Sequence, residues 1–241
     1  MQAVLPAPDG GYPGNNTAEG TAALFNLFSG VGNTAVGRQA LFFDVTGSYN
    51  TAVGFASLGR NLAALNTAVG AAAMLFNATG TRNTAVGVDA LFFNGDVGNP
   101  GADFNGAFGV SAHFNNLDGF SNNAFGDSAL FENQHGAANT AIGDVALENN
   151  DLSESGFANN NTAVGAAALL NNVDGSENTA VGTGAGPNVM AGFNNTYVGN
   201  FVGSEEPNGD PLPDEESTIR IGDLSNGNGG RVLRPWRGQG W

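Results

Sequence analysis

The residue types able to do chemistry are few in this chain. His113 and His135 are its only imidazoles, and there is no cysteine, so a thiolate nucleophile, a disulfide and a thiolate zinc site are all excluded. Imidazole catalysis needs a paired nucleophile or acid within hydrogen-bond reach. Ser111 and Asp118 are near His113 in sequence, but no catalytic motif joins them. Two acidic, glycine- and asparagine-bearing stretches offer the oxygen ligands that Ca²⁺ takes: Asp96, Asn99 and Asp103 in one, Asp151 and Glu154 in the other. Neither has the spacing of an EF-hand loop or of a Gly-Gly-x-Gly-x-Asp repeat, so both read as surface loops. Four Asn-x-Ser/Thr sequons, at Asn15, Asn77, Asn160 and Asn194, complete the inventory; the abundance of Asn and Thr accounts for them. No catalytic residue, cofactor site or metal site is expected.

The charge pattern narrows the partners. Seven basic residues, all arginine, stand against 22 acidic ones, for a formal net charge of −15, while charged residues make up only 12% of the chain. Nucleic-acid binding is excluded as an expectation, because phosphate contacts need clustered Lys and Arg. No apolar run approaches the ~18 residues of a membrane-spanning helix, and no basic-then-apolar leader opens the chain. Export would therefore require a signal that was removed or lay upstream.

The elements that carry these residues are repeats. Asn33-Thr34-Ala35-Val36-Gly37 recurs, strictly or in degenerate form, eleven times, from Asn16 to Asn195, at steps of 17, 17, 16, 17, 22, 17, 17, 22, 17 and 17 residues. The two long steps contain the acidic stretches, and insertions in a repeat array often mark its binding face. Seven residues after each starting Asn is a small residue (Ala40, Ser57, Ala73), followed usually by Leu or Met (Leu41, Leu58, Met74), then often by Asn three later (Asn61, Asn77, Asn94). Seventeen residues are too few for a helical hairpin repeat of about 34, and the pattern has no helical period. The expectation is an all-β parallel β-solenoid or left-handed β-roll of about eleven coils, each reading strand, corner, strand, corner, with Gly and Asn at the corners because they tolerate positive φ. At roughly 4.8 Å per coil the rod is on the order of 50 Å long. In-register stacking disfavours columns of like charge and favours hydrogen-bonded columns of Asn and Thr.

Three segments follow: an N-terminal extension or cap over 1–15, the array over 16–203, and a C-terminal region over 204–241. That last region holds an acidic loop, a final strand near Thr218-Ile219-Arg220-Ile221-Gly222, and an Arg-rich end with Trp236 and Trp241. The end reads either as a cap over the last coil or as an end-to-end docking element.

Side chains alternate across a strand. Asn33 and Ala35 share one face, Thr34 and Val36 the other. The Ala column fits the narrow interior. The opposite column, Val36, Val53, Val69, Val86, Phe108, Phe125, Ile142, Val164, Val181 and Val198, is also apolar. Strands apolar on both faces are normally covered on both, and no helix pattern supplies a cover. A second copy of the chain is the simplest one, so this column is the expected assembly interface. The paired aromatics Phe42-Phe43 and Phe92-Phe93 are expected to fill subunit contacts or to stack sugars.

The Ala35-Val36-Gly37 core and its copies resemble the head repeats of YadA-like trimeric autotransporter adhesins. The longer Asn-Thr-Ala-Val-Gly array, with Asn16 to Gly20 near its start and Thr218 to Gly222 at its end, is similar to bacterial surface and fibre proteins with such arrays, some ending in an endosialidase-type chaperone domain. The resemblance implies a left-handed β-roll, a homotrimer or a head-to-tail filament, and an extracellular or cell-surface place. The expected function is thus a non-enzymatic structural fibre or adhesin head with itself as partner, and with an extracellular glycan or matrix ligand as a further one. No nucleic acid and no membrane insertion are expected. An ice-binding solenoid and a polysaccharide-active solenoid enzyme are the alternatives.

Overall fold

One three-residue strand per coil closes into a single parallel sheet, because each coil returns the Asn-Thr-Ala-Val unit to the same place one strand spacing further along. The computed structural model describes residues 12–95, 101–203 and 215–222, and the backbone of 231–233. The sheet begins β1 (Thr17–Glu19), β2 (Thr34–Val36), β3 (Thr51–Val53), β4 (Thr67–Val69) and β5 (Thr84–Val86). It continues through β7 (Gly106–Phe108), β9 (Asn123–Phe125), β10 (Thr140–Ile142), β11 (Thr162–Val164), β12 (Thr179–Val181), β13 (Thr196–Val198) and β14 (Ile219–Ile221). All these neighbours pair parallel and in register, most often Thr on Thr, Ala on Ala and Val on Val. β15 (Arg231–Leu233) adds antiparallel to β14 and covers its edge. The sheet thus runs past residue 203, and the described part of the C-terminal region is its continuation. The two 22-residue steps leave the register intact: Ala85 pairs with Ala107, and Ala141 with Ala163.

The second half of each coil differs from the expected second strand. Among the described residues only β6 (Phe93–Asn94) and β8 (Asn115–Asn116) form a strand pair there, joined by isolated bridges such as Phe76 to Phe93; elsewhere this half is mostly turns. Gln39 and Leu41 both adopt left-handed backbone (φ 61° and 49°), as do Ala56 and Leu58, and Asp89 and Leu91. Such positions cost roughly 1–3 kcal/mol each. Hydrogen bonds to neighbouring coils offset this: Gln39 N–H donates to Thr21 O at 3.0 Å and Leu41 N–H to Ser57 O at 3.1 Å. The turns also drive Ala40 and Leu41 together into the interior, where both are fully buried.

The strand-closing glycine behaves as expected. Gly37 has φ 128°, and a Cβ on it would stand 2.4 Å from Gly54 O in the next coil, so a side chain is excluded by the stacking itself. The expected corner role of Asn is corrected. It is the residue before the strand-leading Asn, for example Tyr49 (φ 59°) or Arg82 (φ 58°), that turns left-handed. The Asn side chain instead enters the core. Asn33, Asn50, Asn66, Asn83 and their equivalents are buried and form one ladder; Asn61, Asn77, Asn94, Asn116, Asn133, Asn150 and Asn172 form a second. In the first, each side-chain oxygen accepts the backbone N–H of the next coil's Asn, as in Asn50 to Asn33 (2.9 Å) and Asn122 to Asn105 (2.9 Å). In the second, amide donates to amide along the rod, as in Asn94 to Asn77 (2.7 Å) and Asn172 to Asn150 (2.7 Å), with one break between Asn116 and Asn133, where the Asn133 amide donates to His113 instead. The core is therefore a stack of Ala, Leu and Asn columns, with the amides satisfying backbone that no second strand could pair.

Candidate self-assembly interface

Because Ala faces inward in every Thr-Ala-Val strand, Thr and Val must face outward. The Thr residues are half-buried, the Ala residues buried, and most of the Val column is exposed. Among its exposed members from Val36 to Val198, exposure runs from 36% at Val53 to 43% at Ile142. Each of these side chains is flanked on both sides by its register neighbours, so what remains open is its outward surface. Val36, Val69, Val86, Phe125, Val181 and Val198 are in the same state, while Phe108 and Val164 are half-buried. The structure therefore brings all ten expected residues into one column. Ile221 extends it at one end, and Glu19 stands at the other.

The column is uncharged between those ends. Neither it nor the neighbouring column from Thr17 through Thr196 to Ile219 contains an ionisable side chain other than Glu19. In a chain with 22 acids this is a neutral strip along one face. Phe55, Val88 and Val110, exposed just beyond the strand ends, widen it. On two adjacent inner strands both columns change: Gly106 and Phe108 on β7, and Asn123 and Phe125 on β9. Thr gives way to Gly106 where Val gives way to Phe108, and the position of a Cβ on Gly106 is 3.6 Å from the Phe108 ring. The large ring lies toward the place a threonine would occupy. Phe108 stacks on Phe125 of the next strand, with centroids 4.6 Å apart and planes 3° apart.

Several of the other aromatics stack along the rod. Phe92, Phe114 and Phe131 stack at 4.9 and 5.1 Å, and Phe25 stacks on Phe42 at 5.4 Å. Arg60 sits between Phe43 (5.6 Å) and Phe76 (5.3 Å), an arrangement favourable to a cation. Beside them lies a groove of about 450 Å³ lined by Arg60, Leu62, Phe76, Phe93, Asn94 and Asn116.

The candidate ligand loops are tied into the fold. Asp103 accepts the Thr81 backbone N–H (2.6 Å) and hydroxyl (2.9 Å), latching one long coil to the preceding one. Asp151 is fully buried and accepts N–H bonds from His135 (2.8 Å) and Gly156 (2.7 Å). Glu154 is exposed and accepts from Gln134. Asp96 and Asn99, and likewise Trp236 and Trp241, lie outside the described residues. Among the described residues no group of three His, Asp or Glu side chains is placed to hold a metal ion, and no helix is long and apolar enough to cross a membrane. Of the sequons, Asn77 is buried in the second ladder, whereas Asn15, Asn160 and Asn194 are exposed.

The histidines have separate environments. His113 replaces Leu in the buried column; burial lowers its pKa to about 4. Its Nε2 accepts from the Asn133 amide (3.2 Å), while its Nδ1 and Asn116 Oδ1 have no partner. His135 is half-exposed and paired with Asp118 at 2.6 Å. No nucleophile is bonded to either imidazole.

One cluster carried no clear sequence signal. Tyr197 and Arg220 occupy the inward column that Ala holds elsewhere. Arg220 Nη2 donates to Glu215 Oε1 at 2.7 Å, its Nε donates to both carboxylate oxygens at 3.0 Å, and the Tyr197 hydroxyl donates to Glu215 Oε2 at 2.9 Å. These groups seal the apolar interior at its C-terminal end.

Fold and surface together define a parallel β-solenoid with a neutral, outward-facing Thr–Val ladder. No family model, no curated protein and no solved structure matches the chain.

Proposed function

We propose that this chain is a non-enzymatic structural protein, an extracellular rod of the fibre or adhesin-head type, which self-associates through its outward Thr–Val ladder. The observation that carries the reading is the uncharged column from Val36 to Val198, open along one face of a chain whose net charge is −15. An apolar patch of that length on a soluble surface marks an interaction site. Its likeness to the surface-protein repeats supports a place outside the cell, and a glycan or matrix component would be a secondary ligand.

Light scattering on the purified chain tests it. The wild type is expected to be oligomeric at micromolar concentration, and Val53→Glu with Val181→Glu to be monomeric with unchanged circular dichroism. A wild type that stays monomeric overturns the reading.

Ice binding is a second reading with one observation in its favour: Thr34, Thr51, Thr67 and Thr84 form a regular outward column. A thermal-hysteresis measurement showing no activity removes it.

A further inference from the structure

The outward ladder carries its own centre and its own polarity, and both point to one way of pairing. Of the twelve parallel strands, from β1 to β14, the sixth and seventh are β7 and β9. These are the strands that bear Phe108 and Phe125, the only aromatic residues in the Val column. When two copies of the ladder are laid face to face and antiparallel, the first strand of one meets the twelfth of the other, and the sixth meets the seventh. Phe108 of one copy then opposes Phe125 of its partner, and by the two-fold symmetry the reverse contact forms as well. Four rings gather at the symmetry axis, the central, desolvated position at which aromatic anchors contribute most to an interface. A parallel face-to-face pair would instead set each Phe against itself.

The ends agree with the centre. The Val column opens with Glu19, its one acidic member, at β1. At the other end it closes on the apolar Ile221. An antiparallel pair sets each Glu19 against that apolar end of the partner, whereas a parallel pair sets acid beside acid.

The strip is also large enough for a specific contact. Eleven strand spacings of about 4.8 Å and three residues of about 3.3 Å give a strip on the order of 500 Å² per partner, or about 1,000 Å² in all. That is the threshold for a specific interface before Phe55, Val88 and Val110 are added at the margin.

We infer that the chain forms a two-fold, antiparallel, face-to-face homodimer through its outward Thr–Val ladder, registered by Phe108 against the partner's Phe125. This rests on the self-association proposed above and adds the partner, the orientation and the register.

Cysteine cross-linking decides it, and the natural absence of cysteine leaves no background. Val53 is on the third strand and Val181 on the tenth, so the antiparallel register sets one against the other. A mixture of Val53→Cys and Val181→Cys chains, oxidised by copper-catalysed air, is expected to give the mixed disulfide. Val53→Cys alone should give none, because its two copies would then be separated by seven strands, on the order of 34 Å. Phe108→Ala with Phe125→Ala is expected to weaken dimerisation about tenfold or more. Light scattering run on the same samples separates the two levels of failure. Monomers throughout overturn self-association and this inference together. A stable oligomer that cross-links Val53 to Val53, or cross-links neither pair, leaves self-association standing and overturns the antiparallel register.

Discussion

The backbone N–H of Asn105 donates to Oδ1 of Asn83 at 2.7 Å, although 22 residues separate them and a long coil lies between. The Asn83 amide meanwhile donates to Ala102 O at 2.8 Å. One side chain therefore clamps both the approach and the start of the next strand. Asn83→Ala leaves a buried donor and weakens the satisfaction of a buried acceptor, at about 2–4 kcal/mol. Asn83→Asp is expected to cost more, since it loses the donor and buries a charge. Amide exchange at Asn105 and Gly106 reads the local loss, with the exposed Asn123→Ala as a control expected to stay within about 0.5 kcal/mol.

That pair also marks how far the sequence could be read. The period, the parallel stack and the inward Ala against outward Val follow from spacing and strand alternation alone, and the structure has them. Hydrogen-bonded columns along the rod were legible from the sheer frequency of Asn. The place of those amides was not. Asn is a usual bearer of positive φ, and Asn15, Asn160 and Asn194 do bear it before a strand-leading Asn, yet the same conformation also falls on Tyr49, Arg82, Gln39 and Leu41, whose side chains give no local sign of it. Contacts between coils impose it, and no window shorter than two repeats contains them. Asp103 and Asp151 read as open ligands for the same reason: their hydrogen-bond partners, Thr81 and His135, are 22 and 16 residues away.

His113 is expected to make the rod acid-sensitive. Its pKa in the folded chain is lowered to about 4 by burial, against an ordinary histidine value of 6.5. Between these values the unfolded chain binds more protons, so folding stability is greatest above pH 6.5 and falls as the pH drops toward 4. The loss is on the order of 3 kcal/mol for a shift of this size. His113→Leu restores the column's usual residue and removes an unpaired Nδ1. Melting of the two proteins from pH 7 to pH 4 should show the variant more stable at both ends and less dependent on pH.

Asp44 works in the opposite sense. It takes the place that Asn holds in later coils, is fully buried, and has its pKa raised by burial despite the Gly47 N–H bonded to it at 2.7 Å. The folded chain then holds the proton more tightly than the unfolded one. Stability is therefore greater at pH values below the unfolded pKa and declines as the pH rises through the folded one. Asp44→Asn removes the buried charge and should raise stability at pH 7, with the difference vanishing in acid. Denaturant unfolding at pH 7 and pH 3 measures both.

The seal formed by Tyr197, Glu215 and Arg220 gives a test of how far one end of the stack feels the other. The Arg220 and Glu215 side chains are only 9% and 11% exposed, so removing one partner strands a nearly buried charge, at about 3 kcal/mol or somewhat less after allowance for the remaining solvent. Arg220→Met is expected to open the last coils, and Arg220→Met with Glu215→Gln to recover most of the loss, because no unpaired charge is left. In a stack where each coil touches only its neighbours, a terminal defect propagates through nearest-neighbour contacts and fades with distance. Amide exchange should therefore quicken at Thr196 and Val198 in the single variant and stay unchanged at Thr34 and Val36. Equal quickening at both ends would mean that the stack unfolds as one unit, and the ladders of buried Asn would then be what ties its coils into a single cooperative block.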